Sequence, residues 1–260
     1  MTLQGVAVVA GVIVALFICA FIVYSGLPNL WVRVFHRRAL RALPASSENL
    51  HRVVLTFDDG PDAKYTPRLL DALHLAGVSA TFFVIASKAE RNPDIVQRMI
   101  EEGHDVQIHG YRHLMVPFLF PRATLMQVEG SSKVLQRKFG IESSWYRPTW
   151  GLCNAVTLFS KSARRHRLVT WSIMVGDWKQ TRPETLLRRI RNKLHPGAVI
   201  VLHDSDETFG ADTGAPDNVI ELIPQLVNLV RSKGYEFVTL SQGCQDSSVL
   251  RSKGSEYLYR

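Results

Sequence analysis

From residue 53 onward the chain alternates short apolar runs with helical patterns, and this alternation constrains its fold more than any other feature. Seven runs are predicted as strands, at residues 53–57, 80–85, 105–109, 145–147, 168–173, 198–202 and 236–240. Strands that alternate with helices of about 10 to 15 residues form βαβ units and a parallel sheet. We therefore predict an α/β fold, for which a closed or nearly closed barrel and an open doubly wound sheet fit the pattern equally.

The helices between these strands are predicted from apolar periodicity and from start and stop signals. They cover residues 66–76, 93–102, 124–139, 183–194 and 218–233. Gly77 and Gly103 are stop signals, and Thr181-Arg182-Pro183-Glu184 is predicted to form a capping box at the start of the fourth helix. The last helix must accommodate Pro224.

Polar clusters follow several of the predicted strands, where an α/β fold places its chemistry. They are Asp58-Asp59, His109 with His113, Arg147 with Trp150, His203-Asp204, and Asp177-Trp178 a few residues beyond its strand. Taken singly, each has a structural interpretation. Asp-Asp-Gly-Pro is a common turn sequence, the two histidines could be surface residues, Arg147 could only tie down a loop, and His203 could be a core histidine.

Taken together, the clusters favour a hydrolytic metal site because the ends of parallel strands converge. Two imidazoles and one carboxylate form a facial triad that leaves positions open for water and substrate on a divalent ion such as zinc. A second carboxylate can act as general base, and a histidine on another strand can protonate the leaving group. Such a set of side chains suits the hydrolysis of an amide or an ester.

These residues resemble the five motifs of the NodB-type polysaccharide deacetylases, carbohydrate esterase family 4, in the order in which that family has them. The motifs are Thr56-Phe57-Asp58-Asp59-Gly60-Pro61, His109-x-x-x-His113, Arg147-Pro148-x-Trp150-Gly151, Asp177-Trp178 and Leu202-His203-Asp204. The resemblance covers roughly residues 50–240. It implies a distorted (β/α)7-type barrel and removal of N-acetyl or similar small acyl groups from a glycan.

The resemblance also implies a role for each matching residue. Asp59, His109 and His113 would hold the divalent metal, which is expected to be zinc, with cobalt or nickel as alternatives. Asp58 would be the base, paired with and oriented by Arg147. His203 would be the general acid, supported by Asp177. The backbone N–H of Trp150 would stabilise the oxyanion, and Leu202 would line the acetyl pocket.

The chain departs from the family pattern at two positions. Gly110 stands where Ser or Thr usually follows the first histidine of the second motif, and loss of the hydroxyl is expected to loosen that loop. Trp150 stands where Tyr is commoner, which is harmless if only its N–H is used. The sequence does not decide whether residues 205–217, rich in Gly and Asp, contact substrate.

Residues 5–24 contain no charged side chain and are predicted to form one transmembrane helix. The run is too long for a cleaved signal peptide and lacks a basic segment before it. Residues 30–41 mix aromatic, aliphatic and arginine side chains, which suits the headgroup region. The arginines all follow the span, so the positive-inside rule favours the cytoplasmic side for the catalytic domain, whereas a role in the cell wall requires the outside.

The predicted organisation is a transmembrane anchor at 1–28, an interfacial segment and linker at 29–50, a deacetylase domain at 51–241 and a polar tail at 242–260. The net charge of +8 includes no long basic run, which disfavours nucleic-acid binding, and the three cysteines include no CxxC pair. We expect a monomer that acts on an acetylated amino-sugar glycan or a lipid-linked sugar. The alternatives are an inactive glycan- or lipid-binding module on the same scaffold and an O-acetyl esterase.

Overall fold

The structure, a computed structural model, describes residues 2–245. Within them, eight strands form one sheet in the order β5-β4-β3-β2-β1-β7-β6, and β8 pairs with the first residues of β1. All pairs between these strands are parallel. The strands are β1 (Arg52–Asp58), β2 (Thr81–Ile85), β3 (Asp105–Gly110), β4 (Trp145–Tyr146), β5 (Arg167–Leu168), β6 (Ile173–Met174), β7 (Val199–His203) and β8 (Glu236–Val238).

Helices connect most of these strands, and two further helices precede the first one. The helices are α1 (Leu3–Phe21), α2 (Leu27–Arg33), α3 (Thr66–Ala76), α4 (Ala86–Arg91), α5 (Pro93–Glu101), α6 (Pro121–Leu125), α7 (Ser131–Phe139), α8 (Ala155–Phe159), α9 (Pro183–Arg191), α10 (Ala215–Ser232) and α11 (Leu240–Gln245). Single π-helical turns join α1 to α2 and α6 to α7.

The sheet separates two apolar clusters because successive side chains of a strand point to opposite faces. Leu55, Phe57 and Leu202 belong to the larger cluster, which includes the apolar faces of the connecting helices. Val54 and Val199 belong to a smaller cluster on the other face. This curled parallel sheet with helices along one face confirms the prediction of a distorted α/β barrel.

The predicted strand at 168–173 is wrong, because the chain there crosses from one edge of the sheet to the other. Strand β5 ends at Leu168 on one edge, and β6 begins at Ile173 on the opposite edge. Between them, the Thr170 N–H donates to the Leu40 carbonyl oxygen and the Ser172 N–H donates to the Val199 carbonyl oxygen. An apolar run of six residues therefore contains the ends of two separate short strands.

Two helix predictions also differ from the structure. The helix predicted at 124–139 begins at Pro121 and contains the π-helical turn. Helix α9 begins after Arg182 with no side-chain cap, so the capping box predicted at Thr181 does not form. A capping box is present instead at α8, between Asn154 and Thr157. Helix α10 contains Pro224 as predicted.

The segment predicted as a linker is part of the domain. Leu40 pairs with Val169 and Ala42 with Ala198, so residues 40–42 connect the chain after β5 with the chain before β7. Leu43 is buried, and a side chain at Gly243 of α11 would collide with it. The predicted linker therefore contacts both the sheet and α11, which ends at Gln245, while the predicted boundary at 241 stays a prediction. Residues 246–260 of the predicted tail lie outside the described residues.

The N-terminal helices form one continuous apolar helix, and the C-terminal end of this helix lies against the domain. Residues Leu3–Arg33 have a mean hydropathy of 3.2 in their most apolar window, none of it buried, so this helix is a candidate membrane span. The Tyr24 hydroxyl donates to the Leu119 carbonyl oxygen, and Ser25 Oγ donates to the Pro117 carbonyl oxygen. Asn29 bonds with the backbone of Cys153 through both its amide nitrogen and its amide oxygen.

Candidate metal and catalytic site

Asp59, His109 and His113 converge at the carboxyl ends of β1 and β3 and form a group with metal-ligand geometry. Asp59 Oδ1 lies 3.2 Å from His109 Nε2 and 3.1 Å from His113 Nε2. This oxygen is buried, and despite the nearby imidazole nitrogens it makes no hydrogen bond among the described residues. A buried oxygen without such a bond fits the role of a metal ligand. Although burial raises the pKa of Asp59, the neighbouring imidazoles hold it well below its usual range.

The backbone fixes the orientation of two of these ligands. Asp59 directly follows β1 and has a φ of +81°, an unusual value for a residue other than glycine. His109 donates from Nδ1 to the Arg147 carbonyl oxygen at 2.8 Å, so its Nε2 keeps a lone pair for a metal. The donor set of two imidazoles and one carboxylate suits zinc and similar divalent ions.

Asp58 lies beside this group and is bound to a buried arginine. Arg147 donates through Nη1 to Asp58 Oδ1 at 2.6 Å and to Thr56 Oγ1 at 2.7 Å, and through Nη2 to the Thr170 carbonyl oxygen. The guanidinium is fully buried, 4.0 Å from the centre of the Phe83 ring. Burial lowers the pKa of Arg147 against the opposing effect of Asp58. One oxygen of Asp58 is thereby fixed by the guanidinium.

His203 ends β7 and is held by Asp177 from the neighbouring loop. The Asp177 carboxylate accepts from the backbone N–H of His203 at 2.7 Å and from its Nδ1 at 3.0 Å. Burial alone would lower the pKa of His203, but Asp177, with a contribution from Asp59 and Asp58, raises it to about 10. The imidazole is therefore protonated at neutral pH and can serve as a proton donor.

Of two further residues predicted at the site, Trp150 lies at the cavity and Leu202 does not. Trp150 has a φ of +55° and packs edge-on against His113, with ring centres 4.1 Å apart. Leu202 is fully buried in the larger apolar cluster, whereas Val201, which points to the other face of β7, lines the cavity. Leu202, which the sequence analysis assigned to the acetyl pocket, therefore does not line this cavity, because the alternation of side chains along the strand turns Val201 towards it instead.

One cavity of about 490 Å³ joins these groups. Asp58, Asp59, His109, His113, Trp150 and His203 line it together with Arg33, Trp171, Trp178 and residues 208–211. Thr208 donates from Oγ1 to Asp59 Oδ2 at 2.9 Å, and the Phe209 side chain is 91% exposed at the cavity. The segment that the sequence left unassigned therefore forms part of the cavity wall and contacts Asp59.

The loop between the two histidines is held by Gln127, a residue that the sequence analysis missed. Gln127 Oε1 accepts from the backbone N–H groups of Tyr111 and Arg112, each at 3.0 Å. Gly110 has a φ of +137°, a conformation that favours glycine. A Cβ at Gly110 would lie 3.2 Å from Gln127 Oε1. Gly110 therefore fits the backbone of the loop, and the expectation that its missing hydroxyl loosens the loop stays a prediction.

Comparisons with known proteins identify the family. Residues 46–169 match the family model described as polysaccharide deacetylase. A peptidoglycan-N-acetylglucosamine deacetylase of Bacillus cereus is 34% identical over 199 residues, which cover 76% of this chain and 70% of that protein. The chain belongs to the polysaccharide deacetylase family. The predictions of a NodB-type domain and of a hydrolase of this type are therefore confirmed.

Other relatives differ in length and in the substrate that they are named for. A peptidoglycan-N-acetylglucosamine deacetylase of Listeria monocytogenes is 29% identical over 191 residues, covering 74% of this chain but only 38% of that protein. A chitooligosaccharide deacetylase of Sinorhizobium fredii is 28% identical over 207 residues, covering 78% of this chain and 96% of that protein. These family members are named for different substrates, peptidoglycan and chitooligosaccharide.

A solved structure supports the assignment of the fold. A peptidoglycan N-acetylglucosamine deacetylase in complex with 4-naphthalen-1-yl-N-oxidanyl-benzamide superimposes with a TM-score of 0.74 and is 29% identical. The match covers 84% of this chain and 97% of that one. It therefore includes more of the chain than the family model matches.

Proposed function

We propose that this chain is a metal-dependent deacetylase that removes N-acetyl groups from an amino sugar in a glycan or glycolipid. The observation that carries the proposal is the arrangement of one cavity. One carboxylate and two imidazoles with metal-ligand geometry line the same cavity as an arginine-bound carboxylate, Asp58, and an imidazole held by Asp177, His203. Family members named for peptidoglycan and chitooligosaccharide support an acetylated amino sugar as the substrate.

Each group then has a defined part in amide hydrolysis. Zinc, cobalt or nickel held by Asp59, His109 and His113 would polarise the acyl oxygen and make water more acidic. Asp58, held by Arg147, accepts the proton of the attacking water. His203 gives a proton to the departing amine nitrogen, while Asp177 keeps Nδ1 occupied and directs Nε2 to the cavity. We assign the backbone N–H of Trp150 to the oxyanion.

We also propose that the Leu3–Arg33 helix anchors the enzyme in a membrane as a single span. Its uncharged run is long enough to cross the hydrocarbon core, and none of its most apolar window is covered by protein. The arginines after the span favour the cytoplasmic side, whereas the peptidoglycan relatives favour the outer side. A reporter fused after Arg260 distinguishes these two orientations.

The test of the function is acetate release by the full chain in detergent, from oligomers of N-acetylglucosamine. We expect activity that a chelator abolishes and that added zinc or cobalt restores. Asp58→Asn should reduce turnover by a factor of about 100 or more while metal remains bound, since the base is lost and the ligands are kept. His113→Ala should lose both metal and activity.

Matched controls are the exposed residues Asp94 and His74, which lie on α5 and α3 away from the cavity. Asp94→Asn and His74→Ala should keep both metal content and turnover. Full activity in Asp58→Asn or His113→Ala would overturn the assignment. Metal binding without acetate release from any amide would favour an inactive binding module, and release from O-acetyl sugars alone would favour an esterase.

A further inference from the structure

A second cavity adjoins the catalytic cavity on the side of the N-terminal helix. It has a volume of about 270 Å³, and Arg33, Trp171 and Met174 line both cavities. The backbone of Gly151 also lines it and lies against the Trp171 ring so closely that a Cβ there would be 2.6 Å from a ring carbon. The two cavities therefore lie side by side and share these lining residues.

The second cavity is lined by cationic side chains, and we call it the basic pocket, formed by Arg33, His36, Arg41 and Lys193. None of its ten lining residues, all within residues 2–245, is Asp or Glu. Arg41 contacts His36 Nε2 at 3.0 Å, and Lys193 donates to the Met174 carbonyl oxygen. Two guanidinium groups and one ammonium group with no carboxylate among them attract an anion, and guanidinium groups suit phosphate in particular.

The position of the basic pocket relative to the candidate span is fixed by the helix itself. Arg33 ends α2 and lies nine residues after Tyr24, the last residue of the predicted transmembrane segment. This separation corresponds to about 14 Å along a helix. The domain also contacts the end of this segment directly, because Phe118 stacks on Phe21 with ring centres 5.4 Å apart. A phosphate in the basic pocket would therefore lie close to the membrane surface.

We propose that the basic pocket binds the phosphate groups of an acetylated amino sugar that is linked through a diphosphate to a membrane lipid. The sugar then occupies the catalytic cavity, and the lipid enters the bilayer beside the helix. The inference rests on the proposed deacetylase function and specifies its substrate class. The competing anion is a carboxylate of a peptide-bearing glycan, which is less suited to two guanidinium groups and does not need a site near the membrane.

The experiment compares four substrates for the full chain in lipid nanodiscs loaded with zinc. They are a polyprenyl-diphosphate N-acetylglucosamine, N-acetylglucosamine 1-phosphate, a neutral N-acetylglucosamine trimer and a disaccharide peptide. The variant is Arg41→Gln with Lys193→Gln, since neither residue lines the catalytic cavity. Lys193→Arg, which keeps the charge, and Arg191→Gln, an exposed neighbour outside the pocket, are the controls.

We expect the double variant to lose about 10- to 100-fold in kcat/KM on the lipid diphosphate, mainly through KM. The neutral trimer should change less than twofold, and both controls should behave as the parent chain. An equal loss on the phosphorylated sugars and the trimer, or no loss on any, overturns the proposal. A loss confined to the disaccharide peptide overturns it in favour of a carboxylate ligand.

Two further readouts separate the sources of phosphate and the two proposals. A loss as large on the soluble sugar phosphate as on the lipid diphosphate supports phosphate binding but overturns the lipid as its source. If no substrate releases acetate, the proposed function fails. In that case, titration with inorganic pyrophosphate, followed by phosphorus NMR, still tests the basic pocket. Pyrophosphate binding to the parent chain but not to the double variant supports the proposed phosphate site, and equal binding to both overturns it.

Discussion

Gly110 connects the first histidine ligand to the loop that carries the second, and its backbone conformation leads to a prediction. At a φ of +137°, a side chain is strained, and its Cβ would press on Gln127 Oε1 and on the Arg112 carbonyl oxygen. We expect Gly110→Ser, which introduces the residue commoner in the family motif, to weaken zinc binding about tenfold. Competition with a chromophoric chelator measures the change.

The control for this prediction is Gly140→Ser. Gly140 also has a positive φ, of +69°, but, apart from its chain neighbours and the backbone of its own helix, no described residue lies within 4 Å of the place that a Cβ would take. This change adds backbone strain far from the loop, so it should lower stability and leave zinc affinity as it is. Zinc affinity in Gly110→Ser equal to or above that of the parent chain would show that the loop adapts to a side chain.

Most residues of the candidate site could be predicted from the sequence, but those that contact the site from distant parts of the chain could not. Asp58, His109 and His203 lie at the carboxyl ends of strands, and these ends converge in a parallel sheet, so their proximity could be predicted. Thr208 bonds to Asp59 from 149 positions away, and no local pattern indicates such a contact. The choice between Val201 and Leu202 depended on which face of β7 points inward, and a fully apolar strand does not show this.

The π-helical turn between α6 and α7, Met126–Gly130, carries Gln127 to the loop of the two histidines. Gln127 is buried and satisfies two backbone N–H groups there with one oxygen. We expect Gln127→Ala to leave both donors without a protein acceptor and to lower zinc affinity about tenfold, as loss of groups that support metal ligands commonly does. Equilibrium dialysis with zinc measures the effect.

Gln136→Ala is the matched control, since Gln136 is exposed on α7 and far from the loop. It should match the parent chain in zinc affinity. An unchanged affinity in Gln127→Ala would mean that the loop keeps its shape through other contacts, and the role given to the π-helical turn would then be wrong.

Long elements with clear periodicity were predictable, and short ones were not. Strand β1 and helices α3 and α10 were found from their apolar patterns because each buries a continuous face. Strands β5 and β6 have two residues each, too few for any period to appear. Residues 40–42 pair with the chain next to β5 and next to β7. The composition of this segment is typical of a linker, so the sequence did not indicate these contacts.

The segment before β1 completes the barrel, and the whole molecule should depend on it for stability. A chain that begins at Leu27 keeps the buried side chains of Val32, Ala39 and Leu43, whereas one that begins at Ser46 loses them. We expect the shorter chain to be less stable by about 3 kcal/mol or more, from the apolar burial that is lost. Urea unfolding of both chains measures this difference.

Leu43→Ala in the longer chain is the companion variant. It should cost about 2–5 kcal/mol, because Leu43 is packed between the barrel and Gly243 of α11. Equal stability of the chains that begin at Leu27 and at Ser46 would contradict the role of this segment in the domain.

The pH dependence of stability is expected to include a contribution from His104, which is buried and accepts from the Ala80 N–H. Burial lowers the pKa of His104, although Glu102 opposes the effect. The unfolded chain, with a pKa near 6.5 for this group, therefore binds the proton more readily than the folded one. Stability is full above that pH and is lost as the pH falls, with a slope of up to about 1.4 kcal/mol per pH unit.

His104→Gln should flatten this slope below about pH 6.5, measured by urea unfolding in detergent. The slope should not vanish, since burial also lowers the pKa of His166. A variant slope identical to that of the parent chain would show that His104 does not contribute to acid sensitivity.

Hydrogen bonds from Tyr24, Ser25 and Asn29 join the apolar helix to the barrel at several points along one helix face. In the proposed membrane form, the catalytic cavity therefore stays at a fixed distance from the bilayer while the enzyme diffuses laterally in the membrane. It searches in two dimensions, and its encounter rate depends on copies per unit of surface rather than on concentration in a volume. Sugars that lie farther from the membrane than the catalytic cavity stay acetylated at any reaction time. The degree of acetylation of a glycan should therefore depend on its distance from the membrane.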